Sequence, residues 1–374
     1  MITTSYPRAA DGSEAAGSFV ADLVDELAKH LPVRVVAPGT TVAHEVCSAN
    51  IEVFRFAAPA QALSLLKPWR PRDVYWAIRV LRGGWAAVRK AVGSDATHIL
   101  ALWGLPCGEW ARLVARKHGI GYSVWMLGSD VWSFGRMPVL RKMLARVISQ
   151  ARHAYADGHK LAADAHRIGR APVAFLPSTR KINVVNPPPP RAEPPYRLLF
   201  LGRWHPNKGV DLLLDALDML QDADWALIRC VEIQGGGPLH SLVHARVANL
   251  RARGRSVEVG AFLAKTDAEA AIARADWLLI PSRIESIPVV FSDAMKLGRP
   301  VIAMPTGDLP RLIGEIPACG LLADSLSSEG FCRALKAALR TSPRAYAEGV
   351  RREAACFDLT SIAERICREI LHND

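Results

Sequence analysis

Short apolar runs alternate with amphipathic helical patterns along most of the chain. In the second half the apolar runs are RLLFLG, WALIRCVEIQG, SVEVG, DWLLIP, RPVIAM and GLLA. The first half repeats the rhythm in VRVVAP, IEVFRF, THILAL, YSVWML, HAYAD and APVAFLP, with helices predicted near 18–30, 73–92, 106–118 and 138–152. Regular alternation of this kind is typical of buried parallel sheets. We therefore predict an α/β protein with two doubly wound, Rossmann-like domains and a ligand cleft between them.

A proline-rich segment separates the two halves. NPPPPRAEPP, residues 186–195, holds six prolines in ten positions and is predicted to be a stiff linker. The first domain is then expected to cover 1–185 and the second to begin at 196. MITT leaves only a stub where a full first strand is expected, so we expect the natural start to lie upstream.

Composition narrows the class of protein. Half of the 374 residues are apolar and 22% are charged, which is ordinary for globular domains. The seven cysteines are scattered without a C-x-x-C pair, which favours reduced thiols and argues against zinc. No run approaches the roughly 18 apolar residues of a membrane span, and no secretory leader is visible. We expect a cytoplasmic protein without a metal site.

The positive charge is concentrated in the first half of the chain. The net charge is +11, and residues 1–190 hold 24 of the 47 Lys and Arg but only 13 of the 36 Asp and Glu. The second half is therefore neutral. A one-sided excess indicates that the first half meets an anionic partner.

The stretch LGRWHPNKGVDLLLDAL, residues 201–217, places cations between a strand and a helix. The turn carries Arg203 and Lys208, and Gly202 and Gly209 allow close approach of backbone. A bidentate guanidinium, an ammonium and a helix N-terminus together suit a diphosphate. The alternative is a solvated loop that happens to be basic.

The stretch LIPSRIESIPVVFSDAMKLGRPVIAMPTGDLPRLI, residues 279–313, adds carboxylates to the same edge. Glu285 precedes a predicted helix and Asp293 follows eight residues later, so both can face the cleft. Carboxylates without a metal cluster are good acceptors for sugar and ribose hydroxyls. Backbone N–H groups of 286–290 would offer a second helix N-terminus to phosphate.

These motifs resemble those of glycosyltransferase family 4. FLGRWHPNKGVDLLLDAL, IQGGGPLHSLV, VEVGAF and PSRIESIPVVFSDAMKLGRPVIA are similar to the family's donor-side motifs, in order and at the usual spacing over 195–340. The similarity is weaker through 5–37 and 103–132. FDLTSIAERICREI resembles the family's closing helix, so 196–350 would be the nucleotide-sugar domain and 351–374 would return to the acceptor-side domain. The resemblance implies a GT-B fold and a retaining, metal-independent hexosyltransferase that uses a UDP- or GDP-sugar.

The resemblance also implies residue roles. Arg203 and Lys208 would bind the pyrophosphate and stabilise the leaving diphosphate, and Glu285 would bind the transferred sugar, which makes these three the catalytic candidates. Asp293 would bind the ribose. The remaining expected donor-binding residues are Gly17, Ser18, Asp130, Gly202, Gly260, Phe262, Ser282, Ile287, Pro288 and Val289. No cofactor other than the donor itself is expected.

Three positions depart from the family pattern. Asp293 stands where the family has glutamate, and Leu127 and Leu102 stand where histidines are common. The first change shortens the carboxylate by one methylene. The other two concern the sugar and the acceptor rather than the nucleotide.

A basic amphipathic segment lies at 66–92. It has seven Lys and Arg against one Asp, and Val74, Ile78, Leu81, Trp85, Val88 and Val92 form a predicted apolar stripe that packs on the domain. The opposite face would carry Trp69, Arg72, Trp76, Arg79, Arg82 and Arg89. This face fits an anionic membrane surface or an acceptor, and a merely solvated helix is the alternative. Nucleic acid is not expected, because no recognised module is present.

The sequence thus predicts a glycosyltransferase, peripheral on the inner face of a membrane. Its partners would be a nucleotide-sugar donor and a glycan or lipid-linked acceptor, in the synthesis of an envelope or exopolysaccharide precursor. One alternative is a soluble acceptor of the sucrose or trehalose type; another is a non-catalytic nucleotide-sugar-binding subunit. A nicotinamide oxidoreductase is disfavoured, because GGGP at 235–238 lacks the G-x-G-x-x-G spacing.

Overall fold

The chain forms two units in a computed structural model that describes residues 1–7, 17–59 and 69–371. The first unit comprises Met1–Ser178 and Leu359–Asp374, and the second comprises Thr179–Asp358. The boundary differs from the predicted 185/186, because the segment before the prolines is bonded within the second unit. Thr179 Oγ1 donates to Phe357 O at 3.1 Å, and Asn183 N donates to Glu269 Oε2 at 2.9 Å.

The described residues of the first unit form seven strands in two sheets. They are β1 (Val33–Gly39), β2 (Ala43–Ser48), β3 (Ile51–Ala57), β4 (His98–Leu102), β5 (Gly121–Met126), β6 (His153–Ala156) and β7 (Ala174–Phe175). The strand orders are β1-β3-β2 and β4-β5-β6-β7. Every pairing is parallel except that of β2 with β3. The exposed, mixed sequence of β2 lacks an apolar run, and no strand is predicted there.

The stub at the start of the chain joins the two sheets. Ile2 bridges Val36 of β1 and Ala101 of β4, both in parallel. Ile2 N donates to Leu100 O at 2.8 Å, and Thr3 N donates to Val36 O at 2.9 Å. Residues 1–3 therefore occupy a central strand position.

In the described part of the first unit, six α-helices precede the linker. They are α1 (Ser18–Leu27), α2 (Pro71–Val92), α3 (Glu109–His118), α4 (Ser129–Trp132), α5 (Pro138–Gln150) and α6 (His159–Gly169). The helices predicted near 18–30, 73–92, 106–118 and 138–152 correspond to α1, α2, α3 and α5.

The second unit is built on one six-stranded parallel sheet. Its strands are β8 (Tyr196–Arg203), β9 (Ile228–Gly236), β10 (Val257–Gly260), β11 (Trp277–Ile280), β12 (Val301–Ala303) and β13 (Gly320–Leu322). Their order is β10-β9-β8-β11-β12-β13, so the chain builds outward from β8 and then reverses direction at β11. Open α/β sheets bind ligands at the carboxyl edge of such a reversal. The six strands predicted for this half are all present.

Eight helices complete the second unit. They are α7 (Val210–Asp218), α8 (Asp222–Trp225), α9 (His240–Ala252), α10 (Lys265–Arg274), α11 (Val289–Lys296), α12 (Leu309–Gly314), α13 (Ser328–Leu339) and α14 (Ala347–Cys356). The core packs Leu198 and Phe200 of β8 with Trp277 of β11 and Phe331 of α13, each at most 3% exposed.

The final helix, α15 (Leu359–Leu371), belongs to the first unit. Thr360 Oγ1 donates to Glu26 Oε1 of α1 at 2.9 Å, and Arg365 Nη1 donates to Phe175 O at 3.0 Å. The predicted returning segment began at 351, whereas the structure divides that stretch between α14 in the second unit and α15 in the first.

Candidate functional site

The strongest candidate site lies at the reversal point of the second sheet. Strand β8 ends at Arg203 and is followed by a 3₁₀ turn, Pro206–Lys208. Strand β11 ends at Ile280 and is followed by a loop that runs to α11. Because β8 and β11 are parallel neighbours, both loops emerge at the same edge of the sheet.

Lys208 and Glu285 are brought together at this edge. The Lys208 ammonium forms an ion pair with Glu285 Oε1, and Ser282 Oγ donates to the same carboxylate oxygen at 3.1 Å. Both charged side chains are partly exposed. A cation and a carboxylate on adjoining loops can bind a ligand that has both phosphates and hydroxyls.

Gly209 allows the two loops to pack closely. Its φ is +68°, and a Cβ built there would lie 1.8 Å from Pro281 O. A side chain would clash with backbone, which cannot move aside as the end of a flexible side chain can. Gly209 therefore seats the turn that carries Lys208 against the loop that carries Glu285.

Further predicted donor residues lie at the carboxyl ends of the neighbouring strands. Arg203 is exposed at the end of β8, and Gly202 pairs with Gly235 of β9. Gly260 ends β10, where a Cβ would lie 2.2 Å from Gln234 Oε1. Phe262 is 53% exposed, an available face for a flat ligand group.

The entrance of α11 holds three more of the predicted donor residues. Pro288 is the N-cap and Val289 is the first helical residue. The side chain of Ile287 is buried, so only its backbone is in a position to meet a ligand. Their donor contacts stay predictions.

Asp293 is not open to solvent in this structure. It is completely buried and forms an ion pair with Arg180, whose Nε lies 3.3 Å from Oδ1. Lys296 Nζ donates to Arg180 O at 2.7 Å and so holds the arginine's backbone in place. Arg180 was missed at the sequence level, since a partner 113 positions away leaves no local pattern. Contact between Asp293 and a ribose stays a prediction, and it requires the carboxylate to become accessible.

In the first unit, Gly17 and Ser18 begin α1. A Cβ at Gly17 would lie 2.7 Å from Tyr6 Cα, so this position has no room for a side chain. Ser18 is nearly buried. The part of the first loop at 8–16 lies outside the described residues.

Asp130 is completely buried within the first unit. Gly104 N donates to its Oδ2 at 2.7 Å, and Val131 N donates to Oδ1 at 3.1 Å. Burial raises the pKa of the Asp130 carboxyl, although these backbone donors oppose the shift. The carboxylate therefore stabilises the loop that begins at Gly104, and its direct contact with a donor stays a prediction. Leu102 is buried and Leu127 is partly buried in the same unit.

The buried face of helix α2 differs from the predicted apolar stripe. Val74, Ile78 and Leu81 are 38%, 47% and 49% exposed instead of packed on the domain. The buried positions are Asp73, Val80, Gly84, Val88, Ala91 and Val92. Gly84 explains the rotation of the helix, because a Cβ there would lie 2.2 Å from Trp110 Cη2.

The exposed face of α2 is consequently both apolar and basic. Arg72, Arg79, Arg82 and Arg89 are exposed, and Trp69 precedes the helix as an exposed ring. The Arg79 guanidinium lies 5.4 Å from the centre of the Trp76 ring, and Arg79 Nη1 donates to Tyr75 OH at 2.9 Å. We call this face, with Val74, Ile78 and Leu81, the α2 surface.

The described part of the chain presents neither a metal-ligand cluster nor a membrane-spanning helix. Across residues 1–7, 17–59 and 69–371, no group of three or more His, Cys, Asp or Glu side chains is placed to hold a metal ion. Over the same residues no helix has the length and apolarity that crossing a membrane requires.

The sequence of the second unit is similar to that of known glycosyltransferases. Residues 195–341 match the family model described as Glycosyl transferases group 1. Over 188 residues the chain is 33% identical to the D-inositol 3-phosphate glycosyltransferase of Jonesia denitrificans. This alignment covers 45% of this chain and 42% of that protein. The chain spans less than half the length of the curated relatives it matches.

Structural comparison extends over nearly the whole chain. Sucrose-phosphate synthase of Thermosynechococcus elongatus matches with a TM-score of 0.73 at 18% identity, over 98% of this chain and 96% of that one. HepE of Anabaena, solved in complex with UDP and glucose, matches with a TM-score of 0.69 at 15% identity, over 98% and 97%. The predicted GT-B fold is confirmed. At these identities the likeness concerns the fold alone.

Proposed function

We propose that this protein is a glycosyltransferase that moves a sugar from a nucleoside-diphosphate sugar to an acceptor. The Lys208–Glu285 pair at the sheet reversal carries the proposal, because it puts a phosphate-binding cation beside an acceptor of sugar hydroxyls. The group 1 match over 195–341 supports the same class of reaction. A UDP-sugar is the first donor to test, since the structurally similar HepE was solved with UDP, and a GDP-sugar is the second.

In the proposed mechanism, Arg203 and Lys208 stabilise the departing diphosphate. The bond between the anomeric carbon and the diphosphate oxygen breaks, and the acceptor oxygen bonds to that carbon on the same face. The acceptor proton passes to a diphosphate oxygen. Because the new bond forms on the face from which the diphosphate leaves, the configuration is retained. Positively charged groups placed where negative charge develops lower the barrier to this step. We assign this neutralisation to the two cations, which makes the proposed reaction metal-independent and typical of family 4.

Glu285 has the role of positioning the sugar. Its carboxylate accepts from hydroxyls of the transferred hexose, and the bond from Ser282 orients it. Glu285 forms an ion pair with Lys208. A bound diphosphate would compete for the Lys208 ammonium and so free the carboxylate for the sugar.

We further propose that the α2 surface places the protein at the cytoplasmic face of an anionic membrane. Exposed Ile78 and Leu81 can enter the interface while Arg79, Arg82 and Arg89 meet phosphate head groups. The acceptor that suits such a location is lipid-linked, as in the synthesis of an envelope or exopolysaccharide precursor.

A second candidate function is a non-catalytic nucleotide-sugar-binding subunit. The enclosed Asp293, held by Arg180, favours it, as do Leu127 and Leu102 in place of common histidines. Such a subunit would bind a nucleotide without turning over its sugar.

Donor hydrolysis separates the two functions. Purified protein is first screened for thermal stabilisation by UDP, GDP and ADP, and the sugar donors of the stabilising nucleotide are then tested for release of free sugar and for transfer to a lipid extract. The enzyme is expected to transfer sugar with retained anomeric configuration, read by NMR. Nucleotide binding without release from any donor would favour the subunit, and no stabilisation by any nucleotide or donor would contradict both.

A further inference from the structure

Arg283 fastens the loop of Glu285 to the turn of Lys208. Its Nη1 and Nη2 donate to Oδ1 and Oδ2 of Asp211, in the first turn of α7, at 2.8 and 2.7 Å. Nη1 also donates to Pro206 O at 2.6 Å. One side chain therefore joins the β11–α11 loop to both ends of the segment that carries Lys208.

The backbone of Arg283 reinforces this link. Arg283 N donates to Asn207 O at 2.8 Å, and Thr306 Oγ1 donates to Arg283 O at 3.1 Å. The residue thus contacts the position directly before Lys208 and lies two positions before Glu285. Ser282, which precedes Arg283, donates to Glu285, which lies two positions after it.

The Arg283–Asp211 pair is charged and fixed in orientation. Burial would raise the pKa of Asp211, but the hydrogen bonds and the charge of Arg283 outweigh burial and lower it. Hydrogen bonding to Asp211 raises the pKa of Arg283 in turn. A two-point guanidinium–carboxylate contact sets direction as well as distance, which a single lysine contact does not.

We propose that Arg283 is a positioning residue that sets the geometry of Lys208 and Glu285 toward the donor. This inference rests on the proposed function. Arg283 acts through the two loops: the diphosphate and the sugar are bound by separate loops, and their reacting geometry depends on how those loops are held together. Small misplacements of binding groups cost rate more than they cost affinity.

A second arginine that contacts aspartates of α7 supplies a matched control. Arg246 of α9 contacts Asp215 and Asp218 at the far end of α7, with 2.8 Å to Asp215 Oδ1. Arg246 and Arg283 have the same side-chain exposure, 32%, and their partners Asp218 and Asp211 are 30% and 28% exposed. Arg283→Met and Arg246→Met therefore remove comparable ion pairs from α7, only one of which lies at the site.

The test measures melting temperature, UDP affinity and the kcat and KM of donor hydrolysis for both variants. We expect similar losses of a few degrees in Tm, since partly exposed pairs contribute little to stability. Arg283→Met should lower kcat at least tenfold with UDP affinity changed less than about threefold. Arg246→Met should leave kcat and UDP affinity near the wild-type values. The kcat of Arg283→Lys, which keeps the charge but loses the two-point guanidinium contact, should stay well below that of wild type.

Each outcome decides between the inference and the function on which it rests. Equal kcat for Arg283→Met and Arg246→Met, in an enzyme whose wild type turns over, overturns the positioning role. Wild-type protein that binds no nucleotide overturns the proposed function instead. If Arg283→Met does not fold, Asp211→Asn supplies the same comparison, because it removes the charge of the pair and leaves the Pro206 contact; unchanged kcat there overturns the inference.

Discussion

Lys208 and Glu285 lie 77 positions apart in the sequence and form an ion pair at the carboxyl edge of the second sheet. Gly209 and Arg283 make the contact possible, the first by leaving room against Pro281 and the second by bonding to Asn207 and Asp211. A diphosphate that binds Lys208 must therefore compete with Glu285 for the ammonium.

Glu285→Gln should separate binding from turnover. The neutral amide leaves Lys208 free for the diphosphate but weakens the contact with sugar hydroxyls. We expect UDP affinity to stay within about threefold and kcat to fall by about 100-fold, the scale of losing one strong transition-state contact. Calorimetry and donor hydrolysis measure the two quantities. Ser282→Ala, which keeps the charge of Glu285, is the control and should lose less kcat than Glu285→Gln. Equal losses in affinity and kcat for Glu285→Gln would mean that the role of Glu285 is misassigned.

The buried Arg180–Asp293 pair offers a test that separates stability from binding. Arg180→Met leaves Asp293 uncompensated and should lower the free energy of unfolding by about 3–5 kcal/mol. The double variant Arg180→Met/Asp293→Leu removes both charges and should recover most of that loss, as read by urea unfolding.

The double variant then reports on the nucleotide. If Asp293 binds ribose, UDP affinity should remain at least tenfold weaker although stability has returned. Wild-type UDP affinity in the stable double variant would remove Asp293 from the donor site.

His98 predicts a loss of stability in acid. Burial, and then the positive charges of His153 and Arg152, lower the pKa of His98 to about 4 in the folded state, where its Nε2 lies 2.8 Å from Ser123 Oγ. The unfolded chain takes up the proton near pH 6.5, so the unfolded state binds more protons between pH 6.5 and 4. The contribution of His98 to the free energy of unfolding is therefore fully present above pH 6.5. It falls by about 3 kcal/mol as the pH drops to 4.

His98→Gln should remove this share of the pH dependence. Urea unfolding at pH 7.5 and pH 4.5 gives the difference in free energy for wild type, His98→Gln and the exposed-site control His30→Gln. The control should keep the wild-type difference. A difference in His98→Gln as large as that of wild type would show that other groups cause the acid loss.

The α2 surface predicts binding to anionic lipid. Each basic residue near such a surface contributes about 1 kcal/mol, so Arg79→Glu, Arg82→Glu and Arg89→Glu together should weaken binding to phosphatidylglycerol vesicles more than 100-fold. Ile78→Ser/Leu81→Ser should weaken it too, because the apolar contribution is lost. Neutral vesicles and the variant Met219→Ser/Leu242→Ser, which changes exposed apolar residues of the second unit, are the controls. Co-sedimentation unchanged by the charge reversal would leave the α2 surface as a solvated helix.

Much of the fold follows from local patterns, and part of the site does not. Apolar runs identify β8, β9, β11 and β12 because these strands are buried or half-buried along most of their length, whereas β2 is an exposed edge strand without such a run. The cations and carboxylates of the site follow strands in recognisable motifs. The roles of Arg180 and Arg283 could not be predicted, since they depend on partners far away in sequence.

Helix α2 illustrates a different limit. The helical period predicts an amphipathic helix near 73–92, where the structure has Pro71–Val92, but it cannot determine which face is covered. Gly84 decides this, because its missing side chain lets Trp110 approach and turns Val80 and Val88 inward. A glycine contributes nothing to a hydrophobic stripe, so the stripe drawn from Val74, Ile78 and Leu81 was wrong in its first half.

Calorimetric titration of UDP and GDP into wild type and Lys208→Met tests the central claim most directly. The methionine keeps the length of the side chain and removes the charge, and Lys265→Met, a lysine at the start of α10, serves as the control. We predict that one nucleotide binds the wild type and the control equally and binds Lys208→Met at least tenfold more weakly, with a Tm lowered by no more than a few degrees in the absence of ligand. Equal affinity for wild type and Lys208→Met would contradict the assignment of the diphosphate to this site.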